Sequence, residues 1–180
     1  MRALNTTVLG VDVAATSGAA VRVRGRLVAS WELDTKRPEL VNLPVDRAVD
    51  LARQTGTPLV VVLEYPFGGN VRVLVGLGMA RERWLASLRR ARVSPKQVIS
   101  VQPNTWRSAV LGREWVRAPR DDVRAHEQLT ARAWTGRADL GSDESAAILI
   151  SWWGCHQDPA APRPPRRGAR RAGGQRKRER

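Results

Sequence analysis

The sequence predicts an α/β fold: a mixed five-stranded sheet, built from an antiparallel three-strand meander plus two parallel strands, flanked by helices. Three observations carry that expectation. Short apolar or alternating runs fill the stretch from Val8 to Leu33, separated only by turn residues. A single uninterrupted apolar run, Leu59-Val60-Val61-Val62-Leu63, then has the pattern of a strand buried on both faces. Beyond Thr55, strand-like and helix-like spacings alternate.

The elements follow in order. Val8 to Val13 is an apolar strand leading into a loop, Ala14 to Gly18. Ala20 to Arg24 alternates, Gly25-Arg26 turns, and Leu27 to Leu33 resumes, which gives a hairpin. Pro44 to Thr55 places Val45, Ala48, Val49, Leu51 and Ala52 at helical spacing, with the proline in the first turn. Gly56-Thr57-Pro58 stops that helix. After the apolar strand, Tyr65 to Asn70 holds a proline and two glycines and is a loop. Val71 to Arg92 is a long helix, with an apolar stripe in Ala80 to Arg90 that is either core or a dimer face. Gln97 to Val101 is a short strand, and two or three helices cover Thr105 to Trp153. Pro119 precedes one of them, with Asp121 and Asp122 in the first turn, where the helix dipole favours acids.

Composition narrows the partners. The chain has 180 residues, 31 of them Lys or Arg against 17 Asp or Glu, a net charge of +14. Such an excess favours a polyanion. All the basic residues but Lys36, Lys96 and Lys177 are arginine, which suits two-pronged phosphate contacts; a GC-rich coding genome would also enrich arginine. From Gln157 onward Pro, Gly, Ala and Arg dominate. Residues 1–156 are therefore expected to form one domain and 157–180 a disordered basic tail. Nine basic residues against two acids give that tail +7, so the remainder also carries +7. One cysteine, Cys155, permits no internal disulfide and fits a reducing compartment. No apolar run reaches the ~20 residues of a membrane span, and Asn5-Thr6-Thr7 and Asp12 interrupt any signal-peptide core. The expectation is a cytoplasmic, nucleoid-associated protein without a membrane partner, in a host cytoplasm if phage-encoded.

Three acids stand where acids are costly. Asp12 ends the first strand and Glu64 ends the most apolar one. With those two strands adjacent, the carboxylates converge at one edge of the sheet. Asp143 opens an apolar, small-residue segment, Ser145 to Ile150, that suits a helix packed on the sheet. Asp139 lies four residues earlier and shares a face with it if the helix begins early. Carboxylates without a His/Cys cluster suit Mg²⁺ or Mn²⁺. Two such ions about 4 Å apart can activate a water and stabilise a leaving oxygen. Taken singly, each acid also has a structural role open to it: a strand-end cap for Asp12, an arginine partner for Glu64, a helix cap for Asp143.

These segments resemble the RuvC-type Holliday junction resolvases of the ribonuclease H-like superfamily. Val8-Leu9-Gly10-Val11-Asp12 is similar to the family's first strand and acid, although Val13-Ala14 stands where Pro-Gly is usual. Val61-Val62-Leu63-Glu64-Tyr65-Pro66-Phe67 matches the second acid with an aromatic three residues on. Pro103 to Gly112 resembles the segment with a proline, a basic residue, a valine and a glycine. Asp143-Glu144-Ser145-Ala146-Ala147 resembles the final Asp-Ala-rich motif. The family places another acid or a histidine three residues before the last Asp; here that residue is Leu140, leaving Asp139, Glu144 or no residue as the fourth ligand.

The resemblance implies a homodimeric endonuclease that cuts four-way DNA junctions with two Mg²⁺ or Mn²⁺ ions per site. Asp12, Glu64, Asp139 and Asp143 would be its ligands. Phe67, Tyr65, Arg72, Arg107, Arg113, Arg117 and Arg120 would contact DNA, with Phe67 reaching into the branch. Alternatives are a related nuclease acting on flaps, other branches or RNA–DNA hybrids, and a non-catalytic basic nucleic-acid-binding protein. Trp106 and Trp115 are expected to pack or to touch DNA, and His126 to face solvent. Cys155-His156 lacks the further ligands of a structural zinc site.

Overall fold

A computed structural model describes residues 5–65 and 70–157. The expected loop residues Pro66 and Phe67, and all of the basic tail beyond Gln157, lie outside the described residues.

Five strands form one sheet: β1 (Thr7–Asp12), β2 (Thr16–Val23), β3 (Arg26–Asp34), β4 (Leu59–Glu64) and β5 (Val98–Val101). Their order is β3-β2-β1-β4-β5. The first three pair antiparallel, while β1–β4 and β4–β5 pair parallel. This is the expected meander plus two parallel strands, with β1 beside β4. The hairpin turn lies one residue earlier than its sequence indicates: Arg24 and Gly25, with φ of 50° and 81°, make it. Two successive left-handed residues match the twist of a two-residue hairpin, and Arg24 accepts that conformation to reach it.

The helices are α1 (Pro38–Thr55), α2 (Val71–Arg90), α3 (Pro103–Val110), α4 (Arg120–Thr135) and α5 (Ser142–Gly154). α1 begins six residues before the expected start, because Pro38 already supplies the favoured first-turn proline. Pro44 instead sits within the helix, on its buried stripe with Val41, Val45, Ala48, Leu51 and Ala52. α2 stops at Arg90, before Arg92 turns to φ 58°. No described helix is long and apolar enough to cross a membrane.

Strand periodicity sorts the core into two layers. Leu9, Val11, Val61 and Leu63 face one side and pack with α1 and α2 through Val41, Val45, Ala80, Trp84 and Leu88. The expected stripe of α2 is thus core. Val8, Val60 and Val62 face the other side, against α3, α4 and α5 through Trp106, Val123, Ala147, Ile148 and Ile150. Gly10 and Asp12 share the alternation of Val8, and Glu64 that of Val62, so both acids belong to the layer that holds α5.

α5 lies unusually close to the sheet, and two glycines permit it. A Cβ on Gly10 would stand 2.4 Å from the backbone nitrogen of Ser151, and one on Gly18 would stand 1.7 Å from the carbonyl oxygen of Asp143. Gly18 is the register partner of Asp12. The first turn of α5 therefore rests on bare backbone directly beside the end of β1.

Candidate active site

The parallel register of β1 and β4 pairs Gly10 with Val62 and Val11 with Leu63, so the next residues, Asp12 and Glu64, end their strands side by side. The Gly18 seat brings Asp143 to the same place. All three line one cleft, together with Tyr65, Arg107, Trp115, Arg120, Arg124 and Glu127.

The cleft concentrates negative charge away from water. Burial raises the Asp12 carboxyl well above its ordinary range; Glu64, Asp143 and Glu127 add to the rise, and Arg107 opposes it. Glu64 is pushed up to about 7, again by burial first, with Arg107 and a hydrogen bond from the Trp106 indole N–H at 3.1 Å holding it down. Asp143 is raised by burial and opposed by Arg124, whose Nη2 stands 3.9 Å from Oδ1. Four carboxylates thus share a pocket in which Asp12 is repelled by the other three.

Glu127 is the residue that sequence reasoning missed. Only 2% exposed, it lies on α4 and accepts a 2.6 Å hydrogen bond from Nε of Arg107. Its signal was present: Val123, Glu127 and Ala131 recur at intervals of four and form the buried stripe of α4. A carboxylate inside an apolar stripe is the same anomaly that marked Asp12 and Glu64. The surrounding Arg124, His126 and Gln128 made the segment look polar throughout.

Asp139 is not brought to the cleft. Its side chain is 74% exposed and forms a two-pronged ion pair with Arg137. α5 begins only at Ser142, too late for Asp139 to share its face with Asp143. Glu144 points elsewhere as well, bonded to Ser30 and Arg137. At the position of the family's fourth ligand, Leu140 is buried in the core.

The basic residues divide similarly. Arg107 and Arg120 line the cleft, and Arg124, not singled out by sequence, joins them. Arg113 and Arg117 are exposed on the neighbouring surface, beside Asn104 and Ser108. Arg72 is exposed in the first turn of α2. Tyr65 is half-exposed at the cleft edge, its N–H bonded to the Val101 carbonyl at 2.7 Å and its ring beneath Arg81. Trp106 is fully buried, so it packs and serves Glu64 instead of meeting DNA. His126 does not simply face solvent: it stacks on Trp115 with ring centroids 3.9 Å apart.

No three His, Cys, Asp or Glu side chains among the described residues stand close enough together to grip a single ion as placed. The chemistry of the donors nevertheless suits a hard divalent cation. The acids lining the cleft offer only carboxylate oxygen, and the repulsion at Asp12 is what a cation would relieve.

The architecture and the cleft together define a ribonuclease H-like fold with an acidic site at the ends of its two central strands. Among solved structures, that of Thermus thermophilus RuvC has the same fold, with a TM-score of 0.57 at 19% identity, covering 82% of this chain and 92% of that one. The T. thermophilus RuvC complex with a Holliday junction substrate gives the same TM-score and identity over 82% and 91%. The yeast mitochondrial Holliday junction resolvase Ydc2 is similar at a TM-score of 0.42 and 13% identity, over 86% of this chain and 82% of that one. No family model and no curated protein matches the sequence.

Proposed function

We propose that this protein is a divalent-metal-dependent endonuclease that cuts branched DNA, with the four-way junction as its substrate. The observation that carries the reading is the convergence of Asp12, Glu64 and Asp143, from two strand ends and one helix start, in a cleft rimmed by arginine. A basic protein that gathers acids around a buried point repels phosphate there unless cations intervene. The fold shared with RuvC, which has been seen with a Holliday junction substrate, supports the same substrate here.

Mg²⁺ or Mn²⁺, two ions per site, would be held by Asp12, Glu64 and Asp143; bound there, they would supply an activated water and neutralise the leaving oxygen. The chain's own residues do the rest. Asp12 and Glu64, fixed by strand register, set where the scissile phosphate must lie. Arg107, Arg120 and Arg124 draw the backbone into the cleft and offset its charge. Arg113, Arg117 and Arg72 extend the basic surface beyond it, and Tyr65 presents a half-exposed ring at the rim.

Paired symmetric nicks need two such sites, hence a dimer. The first half of α2 supports this, because Val71, Leu74, Val75 and Met79 share a face and are all exposed, Val71 to 77%. An apolar face of this kind, at the start of α2, suits burial against a second copy.

The test is a cleavage panel of four-way junction, flap, RNA–DNA hybrid and linear duplex, with Mg²⁺, Mn²⁺ or chelator. Paired nicks in the junction only with metal are expected. Preference for flap or hybrid would redirect the substrate, and no cleavage of any member would overturn the nuclease reading.

A further inference from the structure

Arg107 and Glu127 form a couple that the acids alone do not explain. Trp106 and Arg107 are neighbours on α3, and each serves a different acid of the cleft: the indole N–H donates to Glu64, while the guanidinium donates to Glu127. Arg107 is held twice. Its Cζ lies 4.9 Å from the centroid of the Trp106 ring, and its Nε donates to Glu127. A guanidinium usually meets a carboxylate with Nε and one Nη together, or with both Nη groups. Here only Nε is engaged, and neither Nη has a hydrogen-bond partner among the described residues.

Burying the Glu127 carboxylate is costly, and an apolar residue would serve the Val123–Ala131 stripe better if packing were its only task. We propose that Glu127 is a positioning residue: by taking Nε it presents Nη1 and Nη2 of Arg107 as a two-pronged clamp for the non-bridging oxygens of a phosphodiester beside Asp12 and Glu64. On this reading Glu127 acts through Arg107, which takes its Oε1, and not as a metal ligand. A lysine at 107 would have one nitrogen for both tasks, so the couple requires arginine. The inference rests on the cleft being a phosphodiester site.

Substitutions at both ends separate this role from ligation. Glu127→Ala should lower the single-turnover rate on a four-way junction by about 10- to 100-fold at saturating Mn²⁺, the scale expected for a misplaced clamp. Glu127→Gln keeps an oxygen for Nε and should recover most of that rate. Mn²⁺ affinity, measured on the protein alone by calorimetry, should stay within about twofold of wild type in both variants. The Arg107→Ala/Glu127→Ala double variant should be no slower than Arg107→Ala. A tenfold loss of Mn²⁺ affinity in Glu127→Gln would make Glu127 a ligand and overturn the proposal, as would multiplying losses in the double variant. If Glu127→Ala does not fold, the Gln variant and its Mn²⁺ affinity still decide.

Should wild type cut nothing, the nuclease reading fails but the couple remains testable by fluorescence anisotropy on labelled junction. Glu127→Ala and Arg107→Ala should then weaken binding equally and lower the salt slope by about one. An unchanged affinity in Glu127→Ala beside a weakened Arg107→Ala would overturn the positioning role.

Discussion

The two sides of the cleft are built by different means. Asp12 and Glu64 end adjacent parallel strands, so the backbone hydrogen bonds of the ladder fix how their Cα atoms are spaced. Asp143 and Glu127 come from two helices, and their positions depend on how α5 and α4 seat against the sheet and each other. Charge follows the same division. Asp143 and Glu127 each face an arginine at close range, Arg124 and Arg107, whereas Asp12 has acids as its main electrostatic neighbours. The strands supply acids without cations of their own; the offsetting charges, Arg107 for Glu64 and Glu127 and Arg124 for Asp143, all come from helices.

The sharpest way to test that division is to neutralise each acid. Asp12→Asn, Glu64→Gln or Asp143→Asn should each slow metal-dependent cleavage by on the order of 10³-fold or more. Junction affinity should be unchanged or tighter, since only negative charge is lost. A near wild-type rate in any one of them removes that residue from the machinery.

Next in size is the seat of the helix side. Gly18→Ala puts a Cβ onto the Asp143 carbonyl, so α5 must lift. A loss of about 1–3 kcal/mol in denaturant unfolding is expected, together with a large drop in cleavage from displacement of Asp143. A Gly18→Ala variant with wild-type stability would show that α5 does not rest there.

A smaller effect should appear with pH. Glu64 has a folded value of about 7 against 4.5 when unfolded. The folded state therefore binds the extra proton, and its stabilisation is complete below about pH 4.5 and lost as pH rises through 7. Metal-free wild type should lose on the order of 2 kcal/mol more than Glu64→Gln between pH 5 and 8 in parallel urea titrations. Mg²⁺ should raise the Tm more at pH 8 than at pH 5. Identical pH profiles for the two proteins would mean that Glu64 is not held protonated.

The smallest change is expected at Asp139. Exposed and paired with Arg137 away from the cleft, its Asn variant should cut at the wild-type rate. A tenfold loss would require Asp139 to reach the site after all.

What the sequence made legible follows the same division between strands and helices. An acid at the end of an apolar strand announces itself, because period-two alternation and burial are both visible in a short window; hence Asp12, Glu64 and the β1–β4 adjacency were all expected. Asp143 was found because small apolar residues follow it. Glu127 was hidden because its stripe has only two apolar members, Val123 and Ala131, within a helix otherwise crowded with charge. Asp139 was misplaced because spacing of four has meaning only inside a helix, and α5 starts three residues later. The turn at Arg24-Gly25 shifted by one since either pair containing Gly25 satisfies the composition of a turn, and only the register selects between them.

Gly10 and Gly18 have a consequence for how steady the site can be. A helix spaced from a sheet by side chains inherits their rotamer hopping, so any group it carries wanders by the difference between two packings. α5 touches the sheet with no intervening rotamer at these points. The height of Asp143 above β1 is therefore set by contact between backbone atoms, a surface with a single resting position. Its spacing from Asp12 should vary little with temperature or with repacking elsewhere in the core, and sequence drift has no substitute to offer at Gly18 that keeps it.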